Sequence, residues 1–339
     1  MKKFLISAIA IASAMFTLTG CGLLGDYDEY DDYDDYGYED DYGYDDEYED
    51  DNYDYDEDPN AGGFYDGSDG ELTNFDYSQW DQYKFGGKLG SAKHLDGKTV
   101  LVAIFADDAN TTWDGDDENK YATLDYLGVA TEWLSKSVSK YGKSASFVYD
   151  WEANSDLYFE TSFDHDMTED GDDTYYAEMD YVEENIPSED IMNKYNADNI
   201  IYMIYFNNDA SNQVTSATYA YISEEFEDYP YEIVNIYTRC DGEDENPASY
   251  AHEILHTFGA PDFYMADEDG QNYGITEEFV QYNEENYSNA IMYTTFDAES
   301  QVPYYDHVSN DFSDLVAYYV GLIDYSEEKD YWGLGDSQY

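Results

Sequence analysis

The stretch Asn246-Pro247-Ala248-Ser249-Tyr250-Ala251-His252-Glu253-Ile254-Leu255-His256-Thr257-Phe258-Gly259-Ala260-Pro261-Asp262 sets two histidines four residues apart, with a glutamate directly after the first. On a helix, residues four apart project from one face, one turn above the other. Two imidazoles so placed can share a metal ion, and zinc accepts nitrogen ligands at about 2.0–2.1 Å. Glu253, one residue on, is turned off that line. Its carboxylate can take a proton from a water held at the metal, the work of a general base. A third ligand must come from chain that reverses after the helix. Gly259 permits the reversal and Asp262 follows with a carboxylate; Glu277, Glu278 and His307 are the alternatives. With only five histidines in the chain, coincidence would produce this pattern with odds on the order of one in a hundred.

The helix that must hold these residues has defined ends. Asn246 suits an N-cap and Pro247 the first helical position. Gly259 can take the left-handed conformation beyond the last turn, and Pro261 blocks continuation. Ala251, Leu255 and Phe258 form the stripe that docks it on a core.

Upstream, Thr99–Phe105 and Asn199–Phe206 are short apolar runs that predict strands buried on both faces. Ser146–Tyr149 predicts another strand, and Tyr231–Thr238 one of mixed polarity nearer an edge. Leu124, Leu127, Thr131, Leu134, Val138 and Tyr141 recur at helical spacing and end at Gly142. A second helical stretch, 178–196, is interrupted at Pro187. This order predicts an α/β domain, mostly parallel sheet with packed helices.

The motif resembles the metzincins, zinc metallopeptidases whose pattern is HExxHxxGxx followed by His or Asp. It is also similar to the immune inhibitor A group, whose motif continues Pro-Asp-x-Tyr, as in Pro261-Asp262-Phe263-Tyr264. Ser288-Asn289-Ala290-Ile291-Met292-Tyr293 resembles a metzincin Met-turn, although its Tyr is adjacent to the Met rather than two residues beyond. The resemblance implies a zincin-like α+β fold with a C-terminal subdomain containing the Met-turn. It makes His252, His256 and Asp262 zinc ligands, Glu253 the base, and Met292 the apolar floor. It spans about 97–324 in layout and is specific only over these two segments.

Residues 1–20 read as an export signal, with Met1-Lys2-Lys3 before the apolar run Phe4–Leu18. Leu18-Thr19-Gly20-Cys21 resembles the bacterial lipoprotein box, which implies cleavage before Cys21, acylation of its thiol, and anchoring on the outer face of a bacterial cell membrane. Residues 21–75 are a stalk and linker. Asp26–Asp58 is almost wholly Asp, Glu and Tyr, too polar and self-repelling to fold. The folded domain is expected over 76–339. Thirteen Lys+Arg against 80 Asp+Glu, net −67, exclude a cation-rich nucleic-acid surface. Two cysteines, Cys21 and Cys240, are too few for a disulfide framework. The acidic loops Asp114–Asn119 and Asp267–Gly270 offer hard oxygen ligands for Ca²⁺ without matching an EF-hand.

These observations lead to the expectation of a membrane-anchored zinc metalloendopeptidase acting on extracellular proteins or peptides. The alternatives are a non-catalytic binding lipoprotein on the same scaffold and a structural lipoprotein whose stalk binds cations or the cell wall. Oligomeric state is not encoded in any of these features.

Overall fold

The computed structural model describes Ala92 and residues 94–149, 153–168, 172–220, 232–266 and 273–335. The signal segment, Cys21, the acidic stalk and the 267–270 loop lie outside these residues. Among the described residues, no helix is long and apolar enough to cross a membrane.

A sheet of six strands organises the domain. The first apolar run becomes β1 (Gly97–Asp107), buried from Thr99 to Ala106. One edge of β1 is shared by two short parallel partners, β2 (Ala145–Val148) at its start and β3 (Tyr158–Ser162) at its end. Its other edge pairs in parallel with β4 (Asn199–Phe206), residue for residue from Thr99↔Asn199 to Ala106↔Phe206. β4 pairs in turn with parallel β6 (Glu232–Tyr237). The outermost strand on that side, β5 (Ala217–Ala220), runs antiparallel to β6.

Side chains alternate across such a sheet, so each strand feeds two cores. Leu101, Ala103, Phe105, Met203, Tyr205, Val234 and Ile236 face one; Val100, Val102, Ile104, Tyr202, Ile204 and Ile233 face the other. The first core is covered by α1 (Asp117–Ser139), through Leu127, Ala130 and Leu134, and by α4 (Pro247–Thr257). The second is covered by α2 (Asp172–Asn185) and α3 (Ser188–Tyr195), through Met179, Val182 and Ile191. The interruption at Pro187 is the break between these two helices. A hairpin of β7 (Arg239–Cys240) and β8 (Glu243–Asp244) leads from β6 into α4. Three short helices follow, α5 (Glu277–Asn286), α6 (Asp314–Tyr319) and α7 (Glu327–Trp332).

The coarse expectation of an α/β domain with a mostly parallel sheet is met. The strand in the 231–238 region lies one in from an edge of the sheet, as its mixed polarity suggests, with β5 outside it, although all six residues of β6 are buried. On β6 Asn235 Nδ2 donates to Glu178 Oε1 at 2.6 Å. The helix 121–141 also begins a turn earlier, because Asp116 caps it by accepting from the Asn119 amide.

Candidate metal centre

α4 is built as its sequence predicts at the start. Asn246 Oδ1 accepts from the amides of Ala248 (2.9 Å) and Ser249 (3.3 Å), which satisfies two of the donors a helix N-terminus leaves open. At the other end Gly259 has φ +96°, a conformation that Cβ-bearing residues resist. Its amide returns to His256 O at 2.7 Å, and that of Ala260 to Leu255 O at 3.1 Å. The chain therefore doubles back at once, and Asp262 comes to lie against the face it has just left. The helix is buried on every side, more completely than an apolar stripe alone implies.

Three ligand atoms meet there. His252 Nε2 and His256 Nε2 are 3.0 Å apart, and Asp262 Oδ1 lies 3.0 Å from the first and 3.3 Å from the second. Four ligands arranged tetrahedrally around zinc at about 2.0–2.1 Å would stand about 3.3–3.4 Å from one another, so these atoms are close to where a metal would hold them. The tautomers point the same way. His252 Nδ1 faces Ile291 O at 2.9 Å and His256 Nδ1 faces Ala260 O at 2.7 Å. A carbonyl only accepts, so each Nδ1 carries its hydrogen and donates. In the neutral rings both Nε2 atoms are then bare lone pairs facing each other. Asp262 Oδ1 is likewise buried, and it gains a hydrogen bond from the two ring nitrogens only when a ring is protonated at Nε2. Three lone pairs converging in a buried place call for a cation. Outer partners that fix the ring tautomers are what metal-ligating histidines ordinarily have. His252, His256 and Asp262 could hold a metal ion, and they form the one such group of three among the described residues.

Glu253 is buried at 6% exposure and is received by the sheet's outer strand. Thr218 Oγ1 on β5 lies 2.8 Å from Glu253 Oε2 and 2.9 Å from Glu253 O. Burial pushes the Glu253 carboxyl up to about 8, with the Asp262 and Glu245 charges adding to the rise and His252 and Thr218 opposing it. Burial would also raise Asp262, but the two histidines overcome it and hold that carboxyl well below the usual range. The reciprocal attraction of Asp262 raises His256 against the lowering effect of its burial. Tyr264 completes the surroundings. Its ring stacks on that of His252 at 6.4 Å, and burial raises its phenol well above the ordinary value, helped by Asp262 and Glu253.

Comparison of the chain with protein-family models and with curated proteins gives no match.

The other sequence candidates fall elsewhere. Glu277 and Glu278 are exposed in the first turn of α5, where Thr276 caps the helix, and they do not join the histidines. His307 is exposed, paired with Asp306 at 2.7 Å and stacked on Tyr304. Of the residues expected as a third partner, Asp262 is the one that stands with His252 and His256 in a group able to hold a metal ion, brought there by the reversal at Gly259. Met292 is fully buried. Its carbonyl accepts from the Phe263 amide at 2.7 Å, next to Asp262, while that of Ile291 holds His252. In the 114–119 loop one carboxylate serves structure: Asp116 caps α1 and accepts from Asn207 Nδ2 at 3.0 Å. It is not among the groups able to hold an ion, and the 267–270 loop lies outside the described residues.

Sequence reasoning missed β5, and with it Thr218. Four residues, Ala217-Thr218-Tyr219-Ala220, are too short a run to show a periodicity. It also missed Glu245, a buried carboxylate just before the helix that accepts from Ser216 Oγ at 2.9 Å.

Proposed function

We propose that this protein is a zinc-dependent metalloendopeptidase, exported and anchored outside a bacterial cell through a lipid on Cys21. The observation that supports the reading best is the meeting of His252 Nε2, His256 Nε2 and Asp262 Oδ1 at 3.0–3.3 Å, with a buried, unligated glutamate beside them. Two neutral imidazoles and one carboxylate suit zinc, and three protein ligands are the number a catalytic zinc site uses while leaving a position open. Structural zinc sites favour four, often cysteine-rich, ligands.

Such a metal, when bound, supplies Lewis-acid activation of water and of a peptide carbonyl. The chain's own residues do the rest. The Ile291 and Ala260 carbonyls keep both histidines in the tautomer that leaves Nε2 unprotonated. Glu253 takes the proton of the attacking water and returns it to the leaving amine. A nearby cation would draw the Glu253 carboxyl down from about 8, into the range where a base works at neutral pH. β5, the outer strand beside Glu253, offers a backbone edge on which an extended peptide can pair. The 288–293 segment takes the part of a Met-turn, with Met292 as apolar floor and its neighbouring carbonyl holding a ligand ring.

The test is hydrolysis of casein or a quenched fluorescent peptide by the purified folded region, with and without chelator, beside Glu253→Gln. Zinc-restored cleavage that the variant lacks supports the proposal. A wild-type protein that binds zinc yet cleaves nothing would turn the reading to a binding protein on the same scaffold.

A further inference from the structure

Strand β5 and the residue just before it touch the site helix and its approach through two side chains on one face. Residues two apart in a strand point the same way, and Ser216 and Thr218 both point at α4. Ser216 Oγ binds Glu245 Oε2 at 2.9 Å just ahead of the helix, and Thr218 Oγ1 stands 2.8 Å from Glu253 Oε2 and 2.9 Å from Glu253 O within it, so its one hydrogen is shared between the side chain and the backbone of the same residue. Ser216 Oγ also accepts from the Tyr237 amide at 3.2 Å, so its own hydrogen is free to be donated to the carboxylate. Two hydroxyl–carboxylate bonds therefore register the outer strand against the helix. The second ends on the side chain assigned the proton transfer.

A glutamate has three side-chain torsions, and a buried one without a partner would settle wherever its desolvation is least costly. Thr218 removes that freedom. Threonine is branched at Cβ, so its own χ1 is restricted, and the strand backbone fixes where the hydroxyl sits. With Oε2 committed to Thr218, Oε1 is the oxygen left to act. We propose that Thr218 is a positioning residue for the general base: it orients Glu253 toward the His252–His256–Asp262 cluster and ties that orientation to the edge strand on which a peptide would lie. The proposal rests on the metallopeptidase reading. Thr218 itself is assigned no contact with substrate or metal.

The experiment compares Thr218→Val, which keeps the shape and loses the hydroxyl, with Thr218→Ser, which keeps the hydroxyl. Glu253→Gln serves as the reference. In zinc-loaded protein, Thr218→Val is expected to lower kcat about 10- to 100-fold, as misplacement of a reacting group does, with KM within about twofold. Thr218→Ser should return kcat to within a few-fold of wild type. Zinc affinity should change little in either, and the few-degree loss of Tm that one missing buried hydrogen bond brings is expected in Thr218→Val alone.

A second readout needs no turnover. Crystal structures of zinc-loaded wild type and Thr218→Val should show the Glu253 carboxylate in one fixed rotamer in the first and displaced in the second. Loss of kcat in Thr218→Val that serine does not restore, or an unmoved Glu253, would overturn the positioning role. If wild type and Glu253→Gln are equally inert, it is the peptidase reading that fails, and the carboxylate's position still decides the role of Thr218.

Discussion

Removing one imidazole from the site should abolish a stabilisation that zinc otherwise confers. Because His252 Nε2, His256 Nε2 and Asp262 Oδ1 already stand 3.0–3.3 Å apart, a metal would enter with little rearrangement and bind the native state alone. Binding to the native state stabilises it by RT ln(1 + [L]/Kd), which is about 2.7 kcal/mol at a hundredfold excess over Kd. In a domain of about 150–250 residues each kcal/mol moves Tm by roughly 2–4 °C. Wild-type protein should therefore melt about 5–11 °C higher at that zinc concentration than in chelator. His256→Ala leaves two ligands, one of them a carboxylate that has lost a histidine partner, and its shift should fall below about 2 °C. Calorimetric melts across a zinc titration, with metal content measured on the dialysed proteins, make the test. A His256→Ala protein that keeps both the full shift and one zinc per chain would refute the geometric argument.

Other predictions concern the base, the turn and the cap. Glu253→Gln should retain zinc while losing about 10²- to 10⁴-fold in peptide cleavage, read by metal analysis and a fluorogenic assay on one preparation. In metal-free protein the Glu253 carboxyl is raised by burial from its ordinary 4.5 to about 8, so the folded state holds a proton the unfolded chain has released. The advantage of that neutral form is full below about 4.5 and lost as pH rises through about 8. Urea melts should show wild type losing stability across this window relative to Glu253→Gln, by on the order of a few kcal/mol; a gap that does not change with pH would contradict the assignment. Gly259→Ala, at φ +96°, should destabilise by at least about 1 kcal/mol and weaken zinc binding by displacing Asp262. Asn246→Ala should cost about 1–2 kcal/mol by removing the cap of α4, seen as a lower urea midpoint with zinc stoichiometry unchanged.

What could be read from sequence were the features whose cause is local. β1 and β4 are continuous apolar runs because both their faces are buried, and the runs are visible without any partner. The ends of α4 are written in Asn246, Pro247 and Gly259, each a direct backbone requirement. The approach of Asp262 to the two histidines was legible for the same reason, with Glu277, Glu278 and His307 beside it as candidates: once Gly259 reverses the chain, Asp262 can return to the helix face. Features that depend on distant partners were not legible. β6 contains Glu232 and Asn235, whose burial is hidden until Asn235 is seen bonded to Glu178 from α2. β5 is four residues long and has an order only because β6 offers it an edge. Thr218 within it, and Ser216 just before it, reach the site at separations of 35 and 29 residues from Glu253 and Glu245.

The arrangement also explains why a helix at the centre of the site is buried all round, although a helix that carried only a metal could leave one face to solvent. Each functional side chain on α4 is held by a different piece of surrounding backbone. His252 is held by Ile291 O, His256 by Ala260 O and Glu253 by Thr218 on β5. None of these supports is supplied by α4 itself. Three separate segments must close around the helix before the rings and the carboxylate take fixed directions, and closing around it is what buries it. Ligand geometry and domain packing are on this account one event, so core substitutions that loosen the 288–293 segment or β5 should reach the metal site before they unfold the protein. Met292→Ala offers that case: it removes a fully buried side chain at a cost of about 2–5 kcal/mol, and its zinc affinity should fall while the far side of the sheet keeps its slow amide exchange.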